Sequence, residues 1–283
     1  MPELPEVEVL ARHLRPSLRG KIIRAVIVRR AKVLAPTSPR KFCQTLLGAT
    51  FTGLSRRGKY LLFRLKGRTA DERVTLLGHL GMTGRMFLAR KRGRLPVHAA
   101  VVFDLGGENF IYEDTRYFGR LTLDVSAAEK LGPEPLSRDF QPAALAQALK
   151  RSRQAIKVRL LDQTVVAGVG NIYASEALFR ARLSPKRAAN RLTPEQVKRL
   201  WRAIREVLAG AIRCGSTVPL NFGGGKSDRL FYFGRAPGSL DFYEERLRVY
   251  DREGRPCRKC RHPIKRMAQS ARSTYYCPQC QRG

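Results

Sequence analysis

The sequence predicts an α+β, multidomain protein in which a β-rich N-terminal part precedes a helical part and a small metal-binding module. Short apolar runs separated by glycine, proline and charge fill residues 21–125, which is typical of a β-sandwich or a barrel. Apolar residues then recur at three- and four-residue spacing, which indicates helices. Four cysteines near the C-terminus form two C-x-x-C pairs, which favour a hairpin held by a metal ion.

The N-terminal part begins with one predicted helix. Pro5 suits a first helical turn, and apolar residues follow at helical spacing from Val7 to about Leu18, before Gly20. Short runs rich in branched and aromatic residues come next, and each predicts a strand. These runs cover residues 22–30, 49–54, 60–65, 74–80, 99–105, 109–112 and 119–125.

The stretch Leu131–Ser137 contains glycine and two prolines, which indicates a linker. Helices are expected beyond it, the last with Thr193 as its N-cap. Their predicted ranges are 142–151, 154–163, 172–181 and 194–214. The predicted domains are accordingly residues 1–137, 138–245 and 246–283.

The chain is strongly basic, with 55 Lys and Arg against 23 Asp and Glu and a formal charge of +32. This excess predicts a polyanionic partner, and nucleic acid is favoured over a membrane surface because no separate basic amphipathic helix is present. No apolar run approaches the roughly 20 residues that span a bilayer. The acidic, proline-containing Met1–Glu6 segment is unlike a signal peptide, so we expect a cytoplasmic protein with reduced cysteines.

The C-terminal cysteines predict one structural zinc ion. Two C-x-x-C knuckles supply four thiolates, which leaves no open coordination position for chemistry. The segment between the knuckles is basic and polar and suits contacts with DNA phosphates. Cys43 and Cys214 stand alone and are interpreted as buried small hydrophobic residues. The predicted ligands are Cys257, Cys260, Cys277 and Cys280.

Pro2 carries the most distinctive chemistry of the chain. Removal of Met1 would leave a secondary amine, and an α-amino group titrates near ~7.7–8.0 and is nucleophilic when neutral. Attack on a sugar C1′ would give an iminium ion, an electron sink that promotes loss of the phosphate β to it. Glu3 is a candidate general acid for that reaction. Taken alone, both residues are also compatible with a simple lead into the first helix.

Several motifs together resemble the formamidopyrimidine-DNA glycosylase family. Pro2–Glu8 resembles its N-terminus, Leu131–Ser137 its interdomain linker, Gly168–Glu176 its helix–two-turn–helix loop, and Cys257–Cys280 its zinc finger. The resemblance implies an N-terminal β-sandwich, a helical helix–two-turn–helix domain and a C-terminal zinc-finger hairpin. It further implies a monomeric, bifunctional glycosylase and lyase of damaged double-stranded DNA. Such an enzyme removes 8-oxoguanine and formamidopyrimidines through a proline Schiff base and then performs β,δ-elimination.

The same resemblance assigns the catalytic residues. Pro2 becomes the Schiff-base nucleophile and Glu3 its acid. Lys59, which strand parity places on the side of Leu61 and Phe63, becomes the lysine that assists β-elimination. Arg272, between the cysteine knuckles, becomes the arginine that assists δ-elimination.

The DNA-binding residues are assigned in the same way. Met82, in a turn bracketed by glycines, would insert with Arg116 and Phe118 into the gap left by a flipped base. Asn171, after Gly170, is expected to cap the next helix and to offer its amide to a phosphate. The remaining predicted DNA contacts are His79, His98 and Arg153.

Two residues depart from the family's usual motif, and two alternative functions stay open. Thr115 and Tyr117 replace the usual proline and arginine of the family, which leaves the opposite-base preference undetermined. Residues 217–243 correspond to the family's base-capping loop, but no base contact is assigned there. One alternative is an endonuclease VIII-like enzyme for oxidised pyrimidines, although that group usually begins Pro-Glu-Gly. The other is a zinc-finger DNA-binding protein without catalysis.

Overall fold

The computed structural model describes residues 2–69, 71–91, 94–213 and 247–282. The chain forms two compact units: Pro2 and Glu6–Glu129 belong to the first, and Glu3–Pro5 and the described residues from Lys130 onward to the second. Cys214 and the expected capping loop lie outside the described residues. The boundaries expected at residues 137 and 245 stay predictions.

The first unit is a sandwich of two antiparallel four-stranded sheets, within the residues described. Its strands are β1 (Ala25–Val28), β2 (Thr50–Arg57), β3 (Tyr60–Lys66), β4 (Arg73–His79), β5 (Gly84–Arg90), β6 (Ala99–Asp104), β7 (Glu108–Asp114) and β8 (Arg120–Thr122). One sheet has the order β2-β3-β4-β8 and the other β1-β6-β7-β5. The prediction of a sandwich or barrel is therefore resolved as a sandwich.

Short helices flank this sandwich, namely α1 (Leu4–Leu18), α2 (Pro39–Leu46) and α3 (Ser126–Glu129). Ser38 caps α2 by accepting a hydrogen bond from the Lys41 amide. Cys43, on α2, is only partly buried, so its interpretation as a buried hydrophobic residue is wrong.

Alternation along β3 builds the core and places one site residue. Leu61, Phe63 and Leu65 are buried, whereas Arg64 and Lys66 between and beyond them are exposed. The Phe63 ring packs against the rings of other buried phenylalanines at centroid distances of 5.6 and 6.1 Å. When the same alternation is continued back into the turn before β3, Lys59 falls on the side that faces the core, which is the side predicted for it.

Two connections cross between the sheets at the same end of the sandwich. The Met82 turn (residues 80–83) joins β4 to β5, and the Arg116 turn (residues 115–119) joins β7 to β8. Gly84 pairs with Asp114, and His79 pairs with Arg120. Strand pairing on both sides of the connections therefore sets the two turns next to each other.

The second unit contains the predicted helices, α4 (Pro142–Lys150), α5 (Ile156–Leu160), α6 (Asn171–Arg180) and α7 (Pro194–Arg213). The predicted N-cap of α7 is confirmed. The Thr193 hydroxyl accepts a hydrogen bond from the Gln196 backbone amide, and the Gln196 side-chain oxygen accepts one from the Thr193 backbone amide. Helix α5 is shorter than expected because Asp162 accepts hydrogen bonds from the amide and hydroxyl of Thr164 and closes a turn.

The C-terminal module is a hairpin of β9 (Lys265–Gln269) and β10 (Arg272–Tyr276). Ser270 and Ala271 form its turn with φ angles of 48° and 56°, the left-handed pair that a two-residue hairpin turn requires. Val249 and Ile264 pack with two of the four knuckle cysteines in a small core. A core of this size depends on a cross-link or a metal for stability.

Candidate functional site

The four knuckle cysteines form a closed metal site. Their sulfur atoms all lie within 4.8 Å of one another. The Cys257 and Cys280 sulfurs are 3.9 Å apart, and those of Cys260 and Cys277 are 3.4 Å apart. A tetrahedral zinc ion with bonds of about 2.3 Å holds its sulfurs about 3.8 Å apart, so the residues fit this metal. The prediction of one structural zinc is confirmed, and the ion's role is to hold the hairpin.

Glu3 forms the cap of helix α6. Its carboxylate accepts hydrogen bonds from the amides of Gly170 (2.8 Å), Ile172 (2.9 Å) and Tyr173 (3.3 Å). These donors lie at the positive end of the helix. The carboxyl group of the residue predicted as a general acid is therefore held in place at the start of α6.

Two glycines of the Gly168-Val169-Gly170 motif make this cap possible. A β-carbon at Gly170 would collide with the Glu3 carboxylate. Gly168 has a φ of 83°, and a β-carbon there would lie 2.6 Å from the Leu4 β-carbon. The motif is glycine-rich because the N-terminal segment approaches its backbone closely.

The expected capping role of Asn171 is wrong, because Gly170 occupies the N-cap and the Glu3 carboxylate satisfies the free amides. Asn171 has a different set of partners. Its Oδ1 accepts a hydrogen bond from Lys157 Nζ, and its Nδ2 donates to the Ser273 carbonyl oxygen at 3.0 Å. The asparagine therefore bridges α5, α6 and β10 of the hairpin.

Lys157 is a candidate functional residue that the sequence analysis missed. Its side chain is 0% exposed, and Nζ also lies 3.4 Å from the Ser273 carbonyl oxygen. Burial lowers the pKa of Lys157 to about 8, with help from the positive charge of Arg272 and opposition from Glu3. One signal was available: Lys157 shares a helix face with Leu160 and Leu161, so the apolar periodicity places a lysine on a buried face.

Glu176, on the same helix as Asn171, was also missed. It accepts hydrogen bonds from the amides of Arg248, Val249 and Tyr250 at 2.8–2.9 Å. Burial raises the pKa of Glu176, and the three amide donors oppose that shift. Glu176 thus attaches the segment that leads into the zinc module to α6.

In the first unit, Lys59 is 7% exposed and interacts electrostatically with His79. Burial, then Lys59 and Arg120, lower the pKa of His79 to about 4, so its ring is neutral at physiological pH. Its Nδ1 accepts a hydrogen bond from the Gly81 amide at 3.1 Å, and its ring lies 4.8 Å from that of Tyr60. His79 therefore orders the start of the Met82 turn, and its DNA contact stays a prediction.

The three predicted inserting residues lie together. Met82 and Phe118 are 45% and 52% exposed, which is unusual for large apolar side chains. The Arg116 guanidinium lies 4.7 Å from the Phe118 ring centre, and its Nη1 lies 3.4 Å from the Met82 sulfur. Two apolar side chains and one planar cation thus form a single solvent-facing group.

The other predicted residues occupy separate positions. His98 is partly buried, and its Nδ1 lies 3.5 Å from the hydroxyl of Tyr117, a residue with a φ of 52°. Arg153 is exposed between α4 and α5, and Arg272 is exposed at the start of β10. Pro2 is buried. Of the helices that the structure describes, none has the length and apolarity of a membrane span.

Three features together define a zinc-containing nucleic-acid-binding protein. They are a basic hairpin held by zinc, a helical domain joined to that hairpin by Asn171, and the exposed inserting group of Met82, Arg116 and Phe118. Models of three known domains match the chain. The formamidopyrimidine-DNA glycosylase N-terminal domain matches residues 1–121, the H2TH domain of the same family residues 131–220, and the zinc finger found in FPG and IleRS residues 254–283.

The chain is similar to the formamidopyrimidine-DNA glycosylase of Phenylobacterium zucineum, with 42% identity and full coverage of both chains. Among solved structures, it is similar to a mutant of the Lactococcus lactis FPG in complex with a Fapy-dG containing DNA (TM-score 0.86, 32% identity, full coverage of both). It is equally similar to the wild-type L. lactis protein with an oxidised pyrimidine containing DNA (TM-score 0.87, 31% identity, full coverage of both).

The chain therefore belongs to the formamidopyrimidine-DNA glycosylase family. It is a base-excision repair enzyme for oxidised bases, with glycosylase and AP lyase activity.

Proposed function

We propose that the enzyme removes 8-oxoguanine and formamidopyrimidines from duplex DNA and then cuts the strand through a Schiff base on Pro2. The observation that carries this proposal is the capping of α6 by Glu3. The first residues of a chain are normally mobile, but here three hydrogen bonds fix the residue next to Pro2. A terminal amine held in this way is suited to act as a positioned nucleophile.

The proposed reaction begins when the neutral Pro2 nitrogen bonds to C1′ and the glycosidic bond breaks, so that the base leaves with its electron pair and takes up a proton. The amine releases its proton, the C1′–O4′ bond breaks so that the ring oxygen takes up a proton, and the secondary amine is left as a cationic iminium at C1′. Loss of a C2′ proton then expels the 3′ phosphate, and a second elimination expels the 5′ phosphate. A one-nucleotide gap with phosphates at both ends remains.

Four side chains support these steps in the proposal. Glu3 acts as the general acid, because the amides that it caps hold its carboxyl group next to Pro2. Lys59 assists the first elimination. Arg272 assists the second, and its charge acts on the buried Lys157 beside Asn171.

Binding uses other residues. Met82, Arg116 and Phe118 fill the gap in the duplex when the damaged base leaves the stack, and Arg116 pairs with the opposite base. The proposed phosphate contacts are made by His79, His98, Arg153 and Asn171. We further propose that the protein acts as a monomer in the cytoplasm, with damaged double-stranded DNA as its partner.

Borohydride reduction tests the proposal. An iminium on Pro2 is reduced to a stable amine, so wild-type protein should become covalently bound to a duplex containing 8-oxoguanine. A variant with one extra glycine before Pro2 should show no trapping, while its affinity for an uncleavable duplex stays within about twofold. Intact mass must show that Met1 has been removed from the wild type. Undiminished trapping of the extended variant would contradict the assignment of Pro2.

A second candidate substrate class is oxidised pyrimidines. The L. lactis structure with an oxidised pyrimidine containing DNA favours it. Single-turnover excision of 8-oxoguanine and of thymine glycol, each opposite its normal partner base, separates the two. We expect faster excision of 8-oxoguanine, and the reverse order would replace the proposal with the second candidate.

A further inference from the structure

The inserting group, which consists of Met82, Arg116 and Phe118, lies on two turns that connect different pairs of strands. The relative positions of its side chains therefore depend on how the two turns are attached to each other. The Met82 turn supplies Met82, and the Arg116 turn supplies Arg116 and Phe118. Backbone pairing of Gly84 with Asp114 ends where the turns begin. Beyond this pair, contacts other than strand pairing must connect the two turns.

Asp114, the last residue of β7, provides this connection. Its side chain is 0% exposed. Oδ1 accepts hydrogen bonds from the Thr83 hydroxyl at 2.6 Å and from the Arg116 amide at 3.2 Å. Oδ2 accepts from the Gly119 amide at 2.8 Å and from the Tyr112 hydroxyl at 3.4 Å. One carboxylate thus binds the end of the Met82 turn and both ends of the Arg116 turn.

The donors around Asp114 are themselves fixed. Burial and the Asp114 charge raise the pKa of Tyr112, so its hydroxyl stays a donor. The Thr83 hydroxyl donates to Asp114 and accepts from the Arg116 amide at 3.2 Å. Tyr112, Thr83 and the Arg116 amide therefore belong to one hydrogen-bond network in which the Asp114 carboxylate is the common acceptor.

The two turns also touch through their backbones. Gly81 has a φ of 59°, and a β-carbon at this position would lie 2.6 Å from the Gly119 nitrogen. The Gly119 amide is the one that Asp114 Oδ2 binds. Close contact of the glycines and the shared carboxylate together leave the two turns little freedom to move separately.

We infer that Asp114 is a positioning residue for base eversion, one that sets Met82, Arg116 and Phe118 in register before DNA arrives. The inference rests on the proposed function, in which these three side chains fill the gap in the duplex. Asp114 does not contact the reacting atoms in this scheme. Its loss should therefore slow excision from a stacked duplex and weaken discrimination of the opposite base, while the chemistry on an abasic sugar is retained.

The test compares Asp114→Asn with Asp104→Asn. Asp104 also ends a strand of the same sheet and accepts a turn amide, that of Gly106 at 2.7 Å, but its turn carries no inserting residue. For each variant, single-turnover excision of 8-oxoguanine is measured opposite cytosine and opposite adenine. Borohydride trapping on a single-stranded abasic oligonucleotide, which needs no eversion, is measured in parallel.

For Asp114→Asn we expect at least about tenfold slower excision from the duplex, because an amide nitrogen replaces one oxygen that must accept. The cytosine-to-adenine rate ratio should move towards one, and trapping on the single strand should stay within about twofold. Asp104→Asn should match wild type in all three. Thr83→Val, which removes the hydroxyl that donates to Asp114 and accepts from the Arg116 amide, should shift the ratio in the same direction and serves as the test if Asp114→Asn does not fold.

Equal losses on duplex and single strand, or an unchanged rate ratio in a folded Asp114→Asn variant, would overturn the inference. Failure of the proposed function is a different result, because wild-type protein would then show neither trapping nor excision.

Discussion

The pKa of Lys157 predicts how DNA affinity depends on pH. The buried ammonium has a pKa of about 8 in the free protein. It is therefore about nine-tenths protonated at pH 7 and about one-tenth at pH 9. Because Nζ binds Asn171, a proposed phosphate contact, a bound phosphate should favour the protonated form. Proton uptake then accompanies binding, and affinity must fall as pH rises through 8.

The size of the effect follows from these fractions. If only the protonated form binds, affinity should fall about tenfold between pH 7 and pH 9, whereas a lysine with the ordinary pKa of 10.5 would change it by only a few per cent. Fluorescence anisotropy with a duplex containing a tetrahydrofuran abasic analogue measures binding without cleavage. Salt must be held constant, since phosphate binding depends strongly on it.

Lys157→Arg provides the matched control, because an arginine stays charged over the whole range. Its affinity should be nearly constant from pH 7 to 9, apart from a contribution of the terminal amine that both proteins share. Identical pH profiles for wild type and Lys157→Arg would refute the link between the buried ammonium and phosphate binding.

Two further predictions concern the cap and the metal. Gly170→Ala should slow excision at least about tenfold, because the added methyl group displaces the Glu3 carboxylate. Gly210→Ala, where no atom lies within 4 Å of the new carbon, should instead leave excision unchanged and raise stability by about 0.5–1 kcal/mol in a denaturant titration. Chelation of zinc, or Cys280→Ser, should unfold the hairpin and weaken duplex binding, which anisotropy would measure. The sandwich should keep its thermal transition in circular dichroism. Full-affinity binding after chelation would contradict the role given to the zinc module.

Local patterns in the sequence predicted much of this structure. Alternation in β3 gave the buried position of Lys59, and glycines around Met82 gave its exposed turn. Spacing alone was enough to find the zinc ligands, since knuckle geometry is local. In each case the information lies within a few neighbouring residues.

Contacts between distant parts of the chain were not predictable in the same way. The cap of α6 comes from Glu3, 167 residues before Gly170, so Asn171 was assigned a role that another residue fills. Lys157 was missed because its partners Asn171 and Ser273 come from other elements. The role of Asp114 depends on two turns that become neighbours only when both sheets have formed.

The capping of α6 by Glu3 also has a consequence for the order of events during synthesis. At roughly 5–20 residues per second, the ribosome needs on the order of 10–30 seconds after Glu3 to produce its helical partner. If Pro2 is the nucleophile, as proposed, this interval is available for the removal of Met1, because the N-terminal segment has no α6 amides to bind until then. Once the helix has formed, its amides hold Glu3 and so fix the position of the residue next to Pro2. Under the proposed function, removal of Met1 is therefore expected during synthesis, before the cap of α6 has formed.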